Sequence, residues 1–360
     1  MIHAATVGAV LVLGLAGAGA SASPVAGQHE SALAVGTAVG RPGETTYGEI
    51  RVPPGTDAGV AVPVAVVCGG RPGPVVAVVA GFHGTEYAST VALARLIARI
   101  EPRALAGTLI VVPLLNPSSF EQMAPHAGLV PLPGDPAGPQ APRLAAAVAD
   151  EVVRPASVVI DIHGGDLDED ARPHSFWLRG GNIAQDEASR RLVLAFGLSH
   201  VVVWDVDLGD TEGIGRSVPG YAMSLGKAAF AAAVGGMGLA TPTDAAMIED
   251  GVLGVLGSLG MMARAPAPVE RPVWLGGRKR VNADGPGMFY AEVAPGSYVS
   301  TGMRVGRTTD YLGRSTGVVR APDSGVVLYV RGVPSMWPGA TLIMVGPVIT
   351  EVPPYVKPTR

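Results

Sequence analysis

Short β-branched apolar runs alternate with amphipathic stretches over the first two-thirds of the chain, and only short strand-like runs follow. Residues 64–68 and 75–80 are apolar runs bounded by Gly and Pro, the pattern of buried strands. Over 86–100 the spacing turns helical, with Val91, Leu93, Leu96, Ile97 and Ile100 apolar. The same alternation predicts strands at 108–113, 157–162, 175–178, 200–204 and 228–234, with helices at 143–153, 185–196 and 244–262. Strands that alternate with helices at this interval imply an α/β unit with a mostly parallel sheet covered on both faces.

The pattern changes near Ala263. Ala265-Pro266-Ala267-Pro268 reads as a linker, and no helical period follows it. Short runs at 288–293, 317–320, 326–330 and 341–345, separated by Gly and Pro turns, predict a compact all-β module. The chain therefore divides into a leader (1–22), an α/β domain (23–263) and a C-terminal β-module (264–360).

Composition narrows the class. With 48% hydrophobic and 16% charged residues, the 360-residue chain can bury a sizeable core. A net charge of −4 and 5% aromatics leave no basic or stacking surface for nucleic acid. The single cysteine, Cys68, excludes an internal disulfide and ends an apolar run as a small buried hydrophobe. Residues 4–20 are apolar and Gly/Ala-rich and lead into Ala20-Ser21-Ala22, the form of a cleavable secretory signal, although Met1-Ile2-His3 carries no Lys or Arg. Export to the periplasm or medium is the expectation; the alternatives are an uncleaved membrane anchor or, if the start is misassigned, a cytoplasmic protein. The apolar stretch 251–263 is too short to span a bilayer, so no membrane association is expected after cleavage.

Candidate chemistry sits at two strand ends. Gly81-Phe82-His83-Gly84-Thr85-Glu86 follows one predicted strand and opens a helix, so His83 and Glu86 can face one ion. Asp161-Ile162-His163-Gly164-Gly165-Asp166 closes a second strand, and carboxyl ends of parallel strands share one edge, where ligands bind. Two imidazoles and a carboxylate suit a single Zn2+ with an open position for water. Asp161 is either the partner that orients His163 or a solvated strand-end acid.

Together these segments resemble the succinylglutamate desuccinylase/aspartoacylase family, N-acyl amidohydrolases related to zinc carboxypeptidases. The resemblance extends through Gly107-Thr108, Asn116-Pro117, Ala195-Phe196-Gly197, Gly235-Gly236-Met237-Gly238 and Ala321-Pro322-Asp323-Ser324-Gly325. It implies a three-layer zinc-carboxypeptidase-like domain with a mixed central sheet, zinc on His83, Glu86 and His163, and a β-module near the site. Asn116 is implied at the substrate.

The chain also departs from that family. The glutamate that serves as general base before the Gly-Gly segment is Ala233 here, and a methyl group carries no proton. The arginines expected after Asn-Pro are missing, since no Arg occurs between Arg103 and Arg143. Substitutes are Asp166 or Asp168 for the base, with Glu169, Asp170 and His126 nearby, and Arg172 and Arg179 for positive charge, unless the acidic run is simply a solvated loop. Glu249, on a predicted helix, reads as a surface carboxylate.

Two functions compete. One is a zinc hydrolase that cleaves an acyl-amide or ester bond of a small molecule by metal-activated water. The other is a family member without turnover that binds zinc and a small ligand or partner. The β-module resembles biotinyl/lipoyl-type domains but has no Lys between Lys279 and Lys357, and its candidate hairpin reads Thr309-Asp310-Tyr311-Leu312-Gly313. Covalent cofactor attachment is therefore not expected, and a structural or homo-oligomer role is.

Overall fold

The computed structural model describes residues 33–128, 132–210, 213–264 and 268–358. The leader expected over 1–22 and part of the 265–268 linker lie outside the described residues. The α/β domain is built on nine strands: β1 (Glu44–Val52), β2 (Val60–Cys68), β3 (Arg71–Ala80), β4 (Ala106–Val112), β5 (Val158–His163), β6 (His174–Arg179), β7 (His200–Asp205), β8 (Ala228–Ala233) and β9 (Val273–Leu275). They order as β9-β7-β6-β8-β5-β3-β4-β2-β1. Neighbours are parallel except at β6–β8, β4–β2 and β2–β1, which gives the expected mixed, mostly parallel sheet.

Among the described residues six α-helices pack around this sheet: α1 (Tyr87–Arg99), α2 (Pro117–Gln122), α3 (Gln140–Val148), α4 (Ile183–Phe196), α5 (Val218–Ser224) and α6 (Pro242–Ser258). Side chains alternate across each strand, so Val158, Ile160 and Ile162 of β5 meet Leu93 of α1, Leu192 of α4 and Val252 of α6 on one face. On the other face Val159 joins Ala231 and Ala233 of β8 with Leu144 of α3 and Tyr221 of α5. No described helix is long and apolar enough to cross a membrane.

Several boundaries differ from the sequence reading. The expected helix at 143–153 is α3 followed by a π-turn over Ala149–Val153. Strand β1 and the short helices α2 and α5 carried no clear period, and their apolar positions are set by tertiary burial. Glu249 is not at the surface. It is almost fully buried on α6, ion-paired to Arg95 and Arg99 of α1 at 2.8 and 2.7 Å.

The β-module holds two antiparallel sheets. One contains Lys279–Asn282, Thr341–Gly346, Gly325–Arg331 and Tyr298–Val299; the other contains Ser315–Arg320, Arg304–Thr309, Gly287–Ala291 and Ser335–Met336. The expected hairpin is present: Thr309 ends its strand and is buried, and Tyr311 and Leu312 are exposed in the turn before the next strand. The first sheet also takes in the short strand Glu169–Ala171, which pairs with Gly325–Arg331. The acidic run after His163 is thus no solvated loop. It is the seam by which the module docks beside β5.

Candidate metal centre

The turn from β3 into α1 places His83 and Glu86. Gly81 adopts φ +67°, and a Cβ on Gly84 would lie 2.2 Å from the Phe120 backbone nitrogen, so both positions require glycine for the turn and the close approach. His163 ends β5, adjacent to β3 in the sheet. Donor atoms of His83, Glu86 and His163 all lie within 4.8 Å of one another.

Glu86 sits at the centre of this group. Its Oε1 is 2.8 Å from Nδ1 of His83, and its Oε2 is 3.0 Å from Nδ1 of His163. Asp161 is buried, with Oδ2 3.1 Å from Nε2 of His163. The carboxylate therefore accepts the Nε2 proton and leaves Nδ1 turned toward the cluster. Burial pushes the Glu86 carboxyl up, but His163 and then His83 outweigh it and hold it at about 2. Burial opposes charge on His163, yet Asp161 and Glu86 together raise its pKa well above the usual imidazole value. A cluster that gathers two imidazoles around one ionised, buried carboxylate has the donor chemistry of a divalent-metal site.

The cluster lies in a cavity of about 360 Å3, within the range of small-molecule sites. Its floor is a face of three strands, where Ala233 pairs with His163 on one side and His174 on the other. One residue pair along, Ala231 lies between Asp161 and Phe176.

His174 is buried, and its Nδ1 donates to the Arg172 carbonyl at 2.7 Å. In the neutral ring the proton then sits on Nδ1 and Nε2 is the acceptor, and this buried nitrogen has no protein partner among the described residues. Burial, the Arg172 carbonyl's opposing pull and the nearby Arg278 charge leave its pKa at about 4.

Comparison with known proteins agrees with this geometry. Residues 72–124 match the succinylglutamate desuccinylase/aspartoacylase catalytic domain. The N-alpha-acetyl-L-2,4-diaminobutyric acid deacetylase of Halomonas elongata is 27% identical over 313 residues, covering 81% of this chain and 87% of that protein. The chain is thus similar to the succinylglutamate desuccinylase/aspartoacylase family in sequence and in fold. Two solved structures share the family fold. A succinylglutamate desuccinylase/aspartoacylase from Rhodobacter sphaeroides superposes with a TM-score of 0.75 at 22% identity, over 85% of this chain and 96% of that one. The product-bound Ectoine utilization protein EutE (DoeB) from Ruegeria pomeroyi gives 0.74 at 21% identity, over 85% and 95%.

Several residues expected to compensate for the family groups missing here are engaged elsewhere. Asp166 is buried and accepts from the Thr85 hydroxyl and from the backbone of His126 at 2.6 Å and Leu167 at 2.8 Å. Asp168 ion-pairs with His126 at 2.9 Å and Arg331 at 2.8 Å. Neither stands free to move a proton. Asn116 caps α2 by accepting from Ser119 at 3.1 Å and donates to the Ala127 carbonyl at 3.0 Å. Arg179 pairs with Asp205 at 2.6 Å and donates to the Pro353 carbonyl, while Arg172 lies against Gly296 of the β-module. Neither arginine lines the cavity.

The cavity instead exposes Glu169, one of the acids of the 166–170 run expected to handle protons, and two groups the sequence reading did not single out, Arg278 and Arg280. Arg278-Lys279-Arg280, a basic cluster just before the first module strand, was the available signal for the other two.

Proposed function

We propose that this protein is a zinc-dependent hydrolase that cleaves the acyl-amide bond of a small N-acyl compound. The convergence of His83, Glu86 and His163 at the wall of a ligand-sized cavity carries the reading. Bound by these three, zinc supplies Lewis acidity to a carbonyl and acidifies water. Asp161 holds His163 in the ligating tautomer.

The proton-handling role falls to Glu169, because Ala233 offers only a methyl group. Glu169 faces the cavity, and its pKa is raised, first by burial and also by the nearby charge of Glu86, against the Asp166 backbone N–H that donates to it at 3.2 Å. Such a carboxylate can take a proton from the attacking water and return it to the departing nitrogen, so that amide and water become carboxylate and amine. The deacetylase of Halomonas elongata makes N-acetylated amino acids the first substrates to try.

One observation favours a second reading, in which the site binds without turnover. Ala233 stands in the cavity at the position where the family resemblance implies a general base. The deciding experiment compares the parent with Glu169→Gln, His83→Ala and Ala233→Glu on a panel of N-acyl amino acids, with bound zinc measured in parallel. Hydrolysis predicts turnover that His83→Ala abolishes and Glu169→Gln lowers roughly 10²–10⁴-fold. Zinc retention without turnover in either the parent or Ala233→Glu would leave the binding reading standing. Export belongs to the same proposal and rests on residues 4–22; the N-terminal sequence of protein recovered outside the cytoplasm tests it.

A further inference from the structure

The three arginines most deeply buried in the described structure each face a carboxylate: Arg143 with Asp57 at 2.9 Å, Arg179 with Asp205 at 2.6 Å and Arg331 with Asp168 at 2.8 Å. Arg278 is different. Its guanidinium lies 4.8 Å from the Phe176 ring centre and 4.7 Å from that of Trp204, half-buried between two aromatic faces. No carboxylate pairs with it and no acceptor receives its N–H groups among the described residues. Aromatic faces stabilise a cation, but they do not satisfy five directional donors.

Arg280 lines the same cavity from the first strand of the β-module. Burial first, and then the like charge of Arg280, push the Arg278 guanidinium down to about 10, against the opposing pull of Glu169. Glu169 lines the same cavity but makes no hydrogen bond or ion pair with either arginine, so two guanidiniums against one carboxylate leave an excess of positive charge suited to an anion. At the opposite end, Glu86 and Asp161 are already engaged with imidazoles. The cavity is therefore polarised, with the metal-type cluster at one end and an excess of positive charge at the other.

Its dimensions follow from the sheet. His163 is on β5, Phe176 on β6 and Trp204 on β7, with β8 between the first two. At about 4.8 Å per strand, the guanidinium sits roughly 10–14 Å across the sheet from His163. Side-chain reach from both ends shortens the interval a ligand must span to several bonds.

We propose that Arg278, assisted by Arg280, anchors a carboxylate of the substrate, so that the β-module supplies the anion-recognition end of the site. The substrate class is then a small N-acyl compound with a carboxylate several bonds from the scissile carbonyl. This assignment rests on the hydrolase reading for its meaning as substrate recognition, but the anion site itself is testable without turnover. A planar guanidinium with free donors binds a carboxylate through two parallel hydrogen bonds, which an ammonium cannot reproduce.

The test uses zinc-stripped full-length protein, with succinate and its neutral analogue succinamide titrated by calorimetry. Succinate should bind the parent at least tenfold more tightly than succinamide. Arg278→Gln should weaken succinate about 10- to 100-fold and leave succinamide unchanged. Arg278→Lys should fall between the two. Failure of the parent to prefer succinate, a comparison that involves no variant, overturns the proposal, as does undiminished succinate binding by a folded Arg278→Gln protein. Arg278-dependent succinate binding in a protein that hydrolyses no N-acyl amino acid would sustain the anion site and discard the hydrolase.

Discussion

His126 offers a perturbation whose size can be worked from the structure. Its ring ion-pairs with Asp168 at 2.9 Å, while its backbone N–H donates to Asp166 at 2.6 Å. Asp168 beside it, opposed by partial burial and supported by Asp166 and Glu169, raises its pKa from 6.5 to about 9. A folded-state pKa above the unfolded value means that the native state binds the proton more tightly. The stabilisation is therefore fully present below about pH 6.5 and disappears as pH rises through about 9. Unscreened, that interval corresponds to about 3.4 kcal/mol. With 47% of the side chain exposed, solvent screening reduces it to about 1 kcal/mol.

The clean substitution is His126→Asn, because the residue has φ +59° and asparagine tolerates that conformation better than alanine. Thermal melts of parent and variant at pH 7 and pH 10 in one buffer of fixed ionic strength provide the assay. The parent should lead by about 1 kcal/mol at pH 7, roughly 2 °C in Tm for a chain of this length, and the lead should close at pH 10. A lead of equal size at both pH values would refute the electrostatic account. The latch also bears on the site, since a Cβ on Gly128, two residues on, would come within 3.0 Å of the His83 ring. Loosening this loop should therefore weaken metal retention as well as stability.

The remaining predictions concern buried charge and metal. Glu249→Gln should cost about 2 kcal/mol in urea unfolding, below the usual range for a broken buried pair because Arg95 and Arg99 still reach water. His174 has its folded pKa depressed to about 4, so the unfolded chain binds its proton more tightly and stability should fall as pH drops from about 6.5 to 4. His174→Leu should be less stable than the parent at pH 7 yet flatter across that acid window; equal acid slopes in urea titrations would count against the assignment. Zinc added to chelator-stripped protein at about 100 times its dissociation constant should raise stability by about 2.7 kcal/mol, and His83→Ala should show no such gain in a melt.

The candidate metal cluster was legible because its signal is local. His83 and Glu86 share one turn, and His163 ends a strand whose apolar alternation marks it as a neighbour in the same sheet. The loss at Ala233 was legible for the same reason. What the chain did not reveal depends on long-range contacts. Nothing near Asp166–Asp170 announces that Arg331, more than 160 residues later, ion-pairs with Asp168, or that Gly325–Arg331 turns this acidic run into a strand. The same is true of Glu249, whose burial follows from α6 packing on α1, and of Arg278, whose aromatic neighbours come from β6 and β7.

These long-range contacts alter what the missing family residues mean. Considered on the α/β domain alone, the absence of Arg between Arg103 and Arg143 and the alanine at 233 describe a site stripped of its reactive groups. With the β-module docked, Glu169 is held at the seam by the module's own strand, and Arg278 and Arg280 enter the cavity from the crossing into that module. Under the proposed function, positive charge and a proton-accepting carboxylate are thus supplied from different chain positions and depend on one interface. A substitution that weakens this seam without touching the cavity, such as Arg331→Met, should therefore disturb anion binding and proton transfer together. Metal binding should survive, because His83, Glu86 and His163 belong wholly to the α/β domain. Selective loss of one function, or loss of zinc first, would show that the two ends of the cavity do not share the module as their common support.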